Sequence, residues 1–194
     1  MMKKNKEKLF LNKYFENYQK LIGENKINII SKLLDICEIL KKTHKKGKKT
    51  IIFGNGGSSA ISSHFSVDLT KNAGIRCINF NEPDLITCFS NDYGYEYWLE
   101  KSINFYGDEG DVLIAISTSG SSKNIINGCK EAKRKKFSKI ITFTGKKKNN
   151  PVKKLGDINM WINSSAYNQV ETIHQMWLLS LVDLIIGKSV YSPN

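Results

Sequence analysis

Two short apolar segments, each followed by a glycine- and serine-rich turn, constrain the fold of this chain more than any other feature. The first segment is Thr50–Phe53, which continues into the turn at residues 54–59. The second covers residues 111–116 and continues into the turn at residues 117–122, and a helical pattern follows each turn. Continuously apolar strands are typical of a parallel sheet that is buried on both faces. The sequence therefore predicts an α/β fold.

The rest of the chain repeats this alternation of strands and helices. We predict strands at residues 50–53, 76–80, 111–116, 139–144 and 158–162, and helices at residues 59–69, 84–90, 96–104, 123–136 and 170–186. Strands that alternate with helices predict a doubly wound, parallel, five-stranded sheet with right-handed crossovers. Two amphipathic helices, at about residues 6–22 and 26–46, precede the first strand. We therefore predict an N-terminal helical arm over residues 1–25 and one α/β domain over residues 26–194.

The charge of the chain favours an anionic small molecule over a nucleic acid as its partner. The formal net charge is +12, but only Arg76 and Arg134 among the 30 basic residues are arginine. Arginine is the preferred side chain for bidentate recognition of bases and phosphates. The lysines are spread along helix faces and loops, so nucleic-acid binding rests on charge alone.

The sequence also predicts a cytoplasmic protein without a membrane segment. No apolar stretch reaches the roughly 18 residues of a membrane span. Residues 1–8 are basic, but no apolar region with a cleavage site follows them. The four cysteines, Cys37, Cys77, Cys88 and Cys129, have no C-x-x-C spacing, and we interpret them as reduced thiols.

The two turns indicate a phosphate site. In an open α/β sheet they lie at the carboxyl ends of the strands, where ligands bind. Glycine lets the backbone approach an anion closely, and the helix N-terminus presents free N–H groups. Neither turn has the Gly-Lys-Ser/Thr of a Walker A loop, and Gly54, Gly56 and Gly57 do not fit the spacing G-x-G-x-x-G. The sequence therefore predicts binding of a phosphate monoester, with no nucleotide.

A succession of motifs then gives a specific resemblance over about residues 26–187. It comprises Gly54-Asn55-Gly56-Gly57-Ser58, His64 with an acid four residues later, Asn91-Asp92-Tyr93-Gly94, Gly110-Asp111-Val112-Leu113, Ile116-Ser117-Thr118-Ser119-Gly120 and Thr142-Phe143-Thr144-Gly145. The chain resembles the sugar isomerase (SIS) domain family, and most of all its phosphoheptose isomerase branch.

The resemblance implies a fold, an assembly and a reaction. The fold would be flavodoxin-like, and the protein a homotetramer with shared active sites. The reaction would be the aldose–ketose isomerisation of sedoheptulose 7-phosphate to a heptose 7-phosphate. The sequence leaves the phosphosugar open, including one that supplies a surface glycan such as lipopolysaccharide or capsule. By resemblance, the residues that bind substrate are Asn55, Gly56, Gly57, Ser58, Asn91, Asp92, Ser117, Thr118, Ser119 and Ser122.

The catalytic positions match the family pattern only in part. In the family, one helix carries His and Glu four residues apart, and the last helix carries Gln and, eight residues later, His. The glutamate and the later histidine move the proton, and the four residues can bind zinc. Here the first pair is His64 and Asp68, and the second pair is Glu171 and Leu179. Leucine neither binds metal nor transfers a proton. A family arginine just past the acid is replaced by Asn72.

The residues also suggest a metal site on their own terms. Glu171 and His174 form a Glu-x-x-His pair, which is a known inward-facing metal-binding pair in helical proteins. Together with His64 and Asp68 they would make a set of two histidines and two carboxylates for zinc or another divalent metal. The alternative is that His174 is an ordinary core histidine.

Two functional hypotheses follow. In the first, the protein is an isomerase with Asp68 or Glu171 as the base and His64 as an acid or a metal ligand. In the second, it is a catalytically silent SIS protein that binds a phosphosugar or a partner protein. Leu179 favours the second hypothesis, and the retained ionisable residues favour the first.

Overall fold

The computed structural model describes residues 2–190 of the chain. Its elements in order are α1 (Met2–Gly23), α2 (Lys26–Lys45), β1 (Thr50–Phe53), α3 (Gly57–Lys71), β2 (Cys77–Ile78), α4 (Pro83–Tyr93), α5 (Trp98–Tyr106), β3 (Val112–Ser117), α6 (Lys123–Arg134), β4 (Lys139–Thr144), β5 (Ile158–Trp161) and α7 (Tyr167–Ile186), with a short 3₁₀ helix at Lys153–Leu155. None of the helices within this range has the length and apolar character needed to span a membrane.

The five strands form one parallel sheet in the order β2-β1-β3-β4-β5. This order is that of flavodoxin-like folds, so the predicted fold class is confirmed. The chain moves from β1 outward to β2 and then returns to place β3 on the other side of β1. Phe53 at the end of β1 lies opposite Ala115 in β3. The turns that follow these two strands are therefore neighbours, at the point where ligands bind in this class of sheet.

Alternate residues of the strands belong to two separate hydrophobic cores, one on each face of the sheet. On one face, Ile52 and Phe143 belong to the core formed with α2, α3 and α7. On the other face, Phe53 and Leu113 belong to the core formed with α5 and α6. All four side chains are fully buried. Because α3 and α7 share one face of the sheet, their first turns are held side by side at its carboxyl edge.

Some predicted boundaries differ from the observed ones for identifiable reasons. The strand predicted at residues 76–80 is only Cys77–Ile78, because Asn79 turns its amide to Ser66 Oγ at 2.7 Å and accepts from the backbone N–H of Asn81 at 3.0 Å. Helix α3 starts two residues earlier than predicted. Gly56 adopts a positive φ of 54°, a conformation that glycine tolerates, and the helix begins directly after it.

The N-terminal arm contacts the rest of the chain mainly through the second half of α1. Asn17 Nδ2 donates to Gln169 Oε1 at 2.7 Å, and Tyr18 OH donates to Thr172 Oγ1 at 3.2 Å. Further toward the N-terminus, Phe10 is 65% exposed. In a single chain, the N-terminal half of α1 therefore exposes apolar side chains to solvent. The division of the chain after residue 25 stays a prediction.

A buried ion pair lies at the edge of the sheet opposite the glycine-rich turns. The fully buried carboxylate of Asp111 lies 2.6 Å from Lys49 Nζ, and it accepts from the backbone N–H groups of Lys49 at 3.0 Å and Asp108 at 2.9 Å. The carboxylate of Asp108 also lies 2.6 Å from Lys49 Nζ, but it is 69% exposed. This cluster joins the start of β1 to the start of β3.

Replacing Asp111 by alanine should destabilise the protein strongly, because it leaves the buried Lys49 cation without its main partner. We expect a loss of about 3 kcal/mol in the free energy of unfolding, measured by urea denaturation at fixed protein concentration. Asp108→Ala is the matched control, since an exposed ion pair contributes at most about 1 kcal/mol. Equal losses for the two variants would contradict the assignment.

Candidate active site

A cleft of about 470 Å³ lies between the first turns of α3 and the first half of α7. It opens at the carboxyl edge of the sheet, next to the turn that follows β1. Four of its lining residues carry ionisable or amide groups, and the remaining ones are mostly small. The lining residues are Gly57, Ala60, Ile61, His64, Asn168, Glu171, Thr172 and Gln175.

His64 and Asp68 form a contact pair on α3. His64 Nε2 lies 3.2 Å from Asp68 Oδ2, and the two side chains are 48% and 23% exposed. Asn72, at the position of the family arginine, donates from Nδ2 to Asp68 Oδ1 at 3.2 Å. Both oxygens of this carboxylate are therefore engaged within its own helix.

Gln175 on α7 reaches the other side of the same imidazole. Its Nε2 atom lies 3.1 Å from His64 Nδ1, so both ring nitrogens of His64 have partners. The sequence analysis missed this residue. A signal was present, because Gln175 follows Glu171 by four residues and such residues share a helix face.

Glu171 lies against the first turn of α3. A Cβ atom at Gly57 would overlap its carboxylate oxygen Oε2, so the close approach depends on glycine. Partial burial raises the pKa of Glu171 above its ordinary value of 4.5.

His174 does not join this group. Its ring is fully buried, its Nε2 lies 3.3 Å from the carbonyl oxygen of Thr144, and it packs edge-on against Phe143. Burial lowers the pKa of His174 to about 3, so the ring is neutral. Although three residues from Glu171, it lies on the face of α7 that packs on the sheet. The expectation that His174 is a metal ligand is wrong for this reason.

The predicted metal set is consequently not assembled. His174 is in the core, and Leu179 offers no donor atom. Within residues 2–190, no three His, Cys, Asp or Glu side chains are placed to share one ion. The residues of the cleft therefore do not fit a divalent metal ion.

The turn after β3 has the features of an anion site. Gly120 adopts a φ of 67°, and Ser117 Oγ donates to Ser122 Oγ at 3.3 Å across the turn. Thr118 Oγ1 is buried and has no hydrogen-bond partner in the described part of the chain. Ser122 precedes α6 without capping it, and Gly56 precedes α3 in the same way. Both helix starts thus keep backbone N–H groups free of side-chain caps, which favours a bound anion.

Two asparagines join the turns after β1 and β3. Asn55 Nδ2 donates to Asn124 Oδ1 at 3.0 Å, and Asn124 Nδ2 donates to Asn55 Oδ1 at 2.8 Å. Asn124 was not among the predicted site residues, because it lies in the first turn of α6, beyond the turn at residues 117–122. The pair forms the floor of a second cleft of about 630 Å³. Its lining residues are Asn55, Gly94, Tyr95, Glu96, Ser122, Lys123 and Asn124.

Asn91 and Asp92 are not brought to either cleft. They lie exposed on the last turn of α4, where Asn91 Nδ2 donates to Asp92 Oδ1 at 3.0 Å. Gly94, with a φ of 89°, then turns the chain toward the second cleft. In a single chain the remaining predicted substrate residues, Gly56, Gly57 and Ser58, form the start of α3 beside Glu171.

Comparison with known proteins identifies this arrangement. A family model described as "SIS domain" matches residues 13–145. The chain belongs to the SIS domain family. A phosphoheptose isomerase from Cytophaga hutchinsonii is 34% identical over 168 residues, which cover 84% of this chain and 85% of that protein. One from Campylobacter concisus is 30% identical over 186 residues, which cover 92% and 96%. These relatives place the chain in the phosphoheptose isomerase branch of the family.

Solved structures agree with the fold. The phosphoheptose isomerase from Francisella tularensis has a TM-score of 0.84 at 26% identity, covering 92% of this chain and 97% of that one. The one from Neisseria gonorrhoeae has a TM-score of 0.86 at 22% identity, covering 93% and 98%. The five-stranded parallel sheet flanked by helices is therefore the SIS fold.

Three residues on the helices that border the cleft differ from the pattern of the phosphoheptose isomerase branch. Asp68 replaces the family glutamate on α3, and Glu171 stands on α7 where the family has a neutral glutamine. Leu179, in place of the later histidine, is partly buried. This SIS domain therefore keeps a carboxylate on α3, gains one on α7 and lacks the later histidine.

If the turn after β3 binds the phosphate of a ligand, Ser119→Ala should weaken binding of a sugar phosphate about tenfold or more. The lost hydroxyl donor to a dianion corresponds to roughly 1.5–3 kcal/mol. Isothermal titration calorimetry measures the effect, with Ser138→Ala at the opposite edge of the sheet as the control. Unchanged affinity in a folded Ser119 variant would mean that the phosphate binds elsewhere.

Proposed function

We propose that this chain is an aldose–ketose isomerase that interconverts sedoheptulose 7-phosphate and a heptose 7-phosphate. The relatives that cover most of the chain are named phosphoheptose isomerases. The observation that carries the proposal is the placement of Glu171 and His64 in one cleft, with Asp68 in contact with His64. The cleft opens at the same edge of the sheet as two uncapped helix starts. A base, a proton donor and an anion site are the three elements that the reaction needs.

The reaction moves one proton between neighbouring carbons and a second proton between the oxygens on those carbons, so the carbonyl and hydroxyl groups exchange places. A base removes a proton from the carbon next to the carbonyl, an enediol or enediolate forms, and the proton returns to the adjacent carbon. A hydrogen-bond donor stabilises the negative charge that develops on the carbonyl oxygen. One carboxylate can perform both transfers of the carbon-bound proton if it lies over one face of the intermediate.

Glu171 is better suited than Asp68 to be the base. Both oxygens of Asp68 are engaged by His64 and Asn72. Glu171 makes no side-chain hydrogen bond or ion pair within residues 2–190, and its raised pKa increases its basicity. His64, beside it in the cleft, is then the donor to the carbonyl oxygen, and the carboxylate of Asp68 contacts its ring from the same helix.

The phosphate would bind to the turn at residues 117–122 and to the start of α6. The serine hydroxyls, the uncapped N–H groups and the positive net charge of +12 all favour a dianion there. Sugar hydroxyls would then meet the amides of Asn55 and Asn124. The phosphate holds the substrate while the reacting carbons lie near Glu171.

We infer that the active protein is a homotetramer. Phe10 and Phe15 on α1 are 65% and 61% exposed, and Ile27 at the start of α2 is 88% exposed. Apolar surface of this extent is typical of an interface. In such an assembly, Asn91 and Asp92 of one chain would contribute to the site of another.

The cellular setting is part of the same proposal. The four cysteines are free thiols, and three of them are buried, which suits the reducing cytoplasm. A heptose phosphate made there would be a precursor of a surface glycan such as lipopolysaccharide or capsule.

A thermal-shift screen of phosphosugars, followed by a turnover assay on each ligand found, tests the proposal. We expect sedoheptulose 7-phosphate to raise the unfolding temperature and to be isomerised. Binding of a phosphosugar without turnover would instead support the silent, regulatory SIS protein that Leu179 favours.

Glu171→Gln should reduce turnover at least about a hundredfold, because an amide cannot accept the proton. Binding of the phosphosugar should change little, since the phosphate is held elsewhere. The unfolding temperature should stay the same or rise, because the variant no longer places a charge in a partly buried position. Steady-state kinetics measures turnover, and calorimetry measures binding and the unfolding temperature. Retained turnover would show that Glu171 is not the base.

The pH profile and a second variant test the same carboxylate independently. The base acts when ionised, so kcat/KM should fall as the pH drops through the raised pKa, above the ordinary 4.5. Gly57→Ala should lower turnover by displacing the Glu171 carboxylate, while α3 still forms. An active Gly57→Ala variant with an unchanged pH profile would argue against the position of Glu171.

Light scattering at micromolar concentration should give four times the chain mass of 22.1 kDa. The double variant Phe10→Asp and Phe15→Asp should dissociate, because it places charges in the apolar surface of α1. Lys13→Asp, which changes charge at an already polar position of the same helix, is the control. A monomeric wild-type protein would end this inference.

A further inference from the structure

The imidazole of His64 is held from two sides by groups of opposite hydrogen-bonding character. On one side is the carboxylate of Asp68, 3.2 Å from Nε2, which only accepts when ionised. On the other side is the amide nitrogen of Gln175, 3.1 Å from Nδ1, which only donates. The two partners come from different helices, α3 and α7.

This arrangement determines where the proton of the neutral ring lies. The carboxylate of Asp68, in contact with Nε2, favours a proton there, and the amide N–H of Gln175 needs a lone pair on Nδ1. The two demands agree, so each contact supports the other. The opposite tautomer would place the lone pair of Nε2 against a carboxylate oxygen and the proton of Nδ1 against an N–H group.

We propose that Gln175 is a positioning residue that fixes His64 as the Nε2–H tautomer and orients its ring in the cleft. The catalytic part of this inference rests on the proposed isomerase function, whereas the tautomer can be measured without substrate. Asp68 shares the helix of His64, so it cannot by itself fix the ring relative to Glu171. Gln175 can, because it lies one helical turn from Glu171 on α7.

The consequence is that the ring presents its proton at a defined place. Only Nε2–H can donate to a substrate oxygen, because Nδ1 is occupied as an acceptor, and the Nε2 proton is then shared between Asp68 and that oxygen. Small errors in the placement of a catalytic group are costly for rate, often by an order of magnitude or more. A cross-helix hydrogen bond to the ring therefore affects turnover more than ground-state binding.

The tautomer test uses protein labelled with ¹⁵N at histidine, without substrate. The chain has only three histidines, His44, His64 and His174, so each ring can be assigned by substitution. At about pH 8, where an ordinary histidine is neutral, two-bond ¹H–¹⁵N spectra should show the His64 proton on Nε2. A proton on Nδ1 in the wild-type protein would overturn the proposal.

Two variants and a matched control then isolate the amide donor. Gln175→Glu keeps the shape but offers only acceptor oxygens, so Nδ1 of His64 should become protonated at the same pH. Gln175→Met removes the hydrogen bond and keeps the length, and it should broaden or split the His64 signals as the ring reorients. Gln169→Met makes the same exchange at a residue of α7 that contacts Asn17, and it should leave the His64 signals unchanged. If Gln175→Glu leaves the His64 proton on Nε2 alone, the residue does not fix the tautomer.

Kinetics of the same variants test the effect on the reaction. We expect kcat to fall about tenfold in Gln175→Met while KM changes less than about twofold, and Gln169→Met to match the wild-type protein. Equal kcat values for the two Met variants would overturn the catalytic part. If the wild-type protein isomerises no phosphosugar, the proposed function fails, and the spectra still decide the role of Gln175 toward His64.

Discussion

The pairing of β1 with β3 is the constraint on which the rest of the site depends. The two strands are adjacent although β2 lies between them in sequence, and their register places Phe53 beside Ala115. Every residue that follows either strand is thereby brought to one edge of the sheet. The reciprocal amide contacts of Asn55 and Asn124 continue this pairing beyond the strands, so the two turns behave as one surface. A buried ion pair at the opposite end of β1 and β3 holds the same two strands together away from the ligand.

The cleft between α3 and α7 combines two opposing electrostatic effects on one carboxylate. Removal from water disfavours the charged form of Glu171 and raises its pKa. The first turn of α3, against which the carboxylate lies, offers the positive end of a helix dipole and favours the charge. With both effects, Glu171 stays ionisable in a partly buried position where no side chain of residues 2–190 forms an ion pair with it. A salt bridge to one of the many lysines would have lowered its basicity instead.

Much of this architecture follows from the sequence, because it depends on local patterns. β1 and β4 have the predicted bounds, since short apolar runs between turn residues leave little freedom. Spacing alone placed His64 and Asp68 on one face of α3. The predictions that failed concern which residues of a helix pack on the sheet and which face the cleft. His174 and Gln175 are neighbours on α7, yet one lies in the core and the other at the cleft, and only the packing of α7 on the sheet decides between them. Contacts between distant segments, such as Asn55 with Asn124, leave no mark in local sequence.

The missing side chain of Gly57 links two positions that are 114 residues apart in the chain. Because Glu171 occupies the space that a Cβ atom would need, the two positions restrict each other's evolution. Any side chain at residue 57 requires the carboxylate of Glu171 to move away from the start of α3. A lineage that replaces the acid by a small residue frees residue 57 to vary. While the carboxylate at residue 171 is selected for its chemistry, glycine at residue 57 is selected with it.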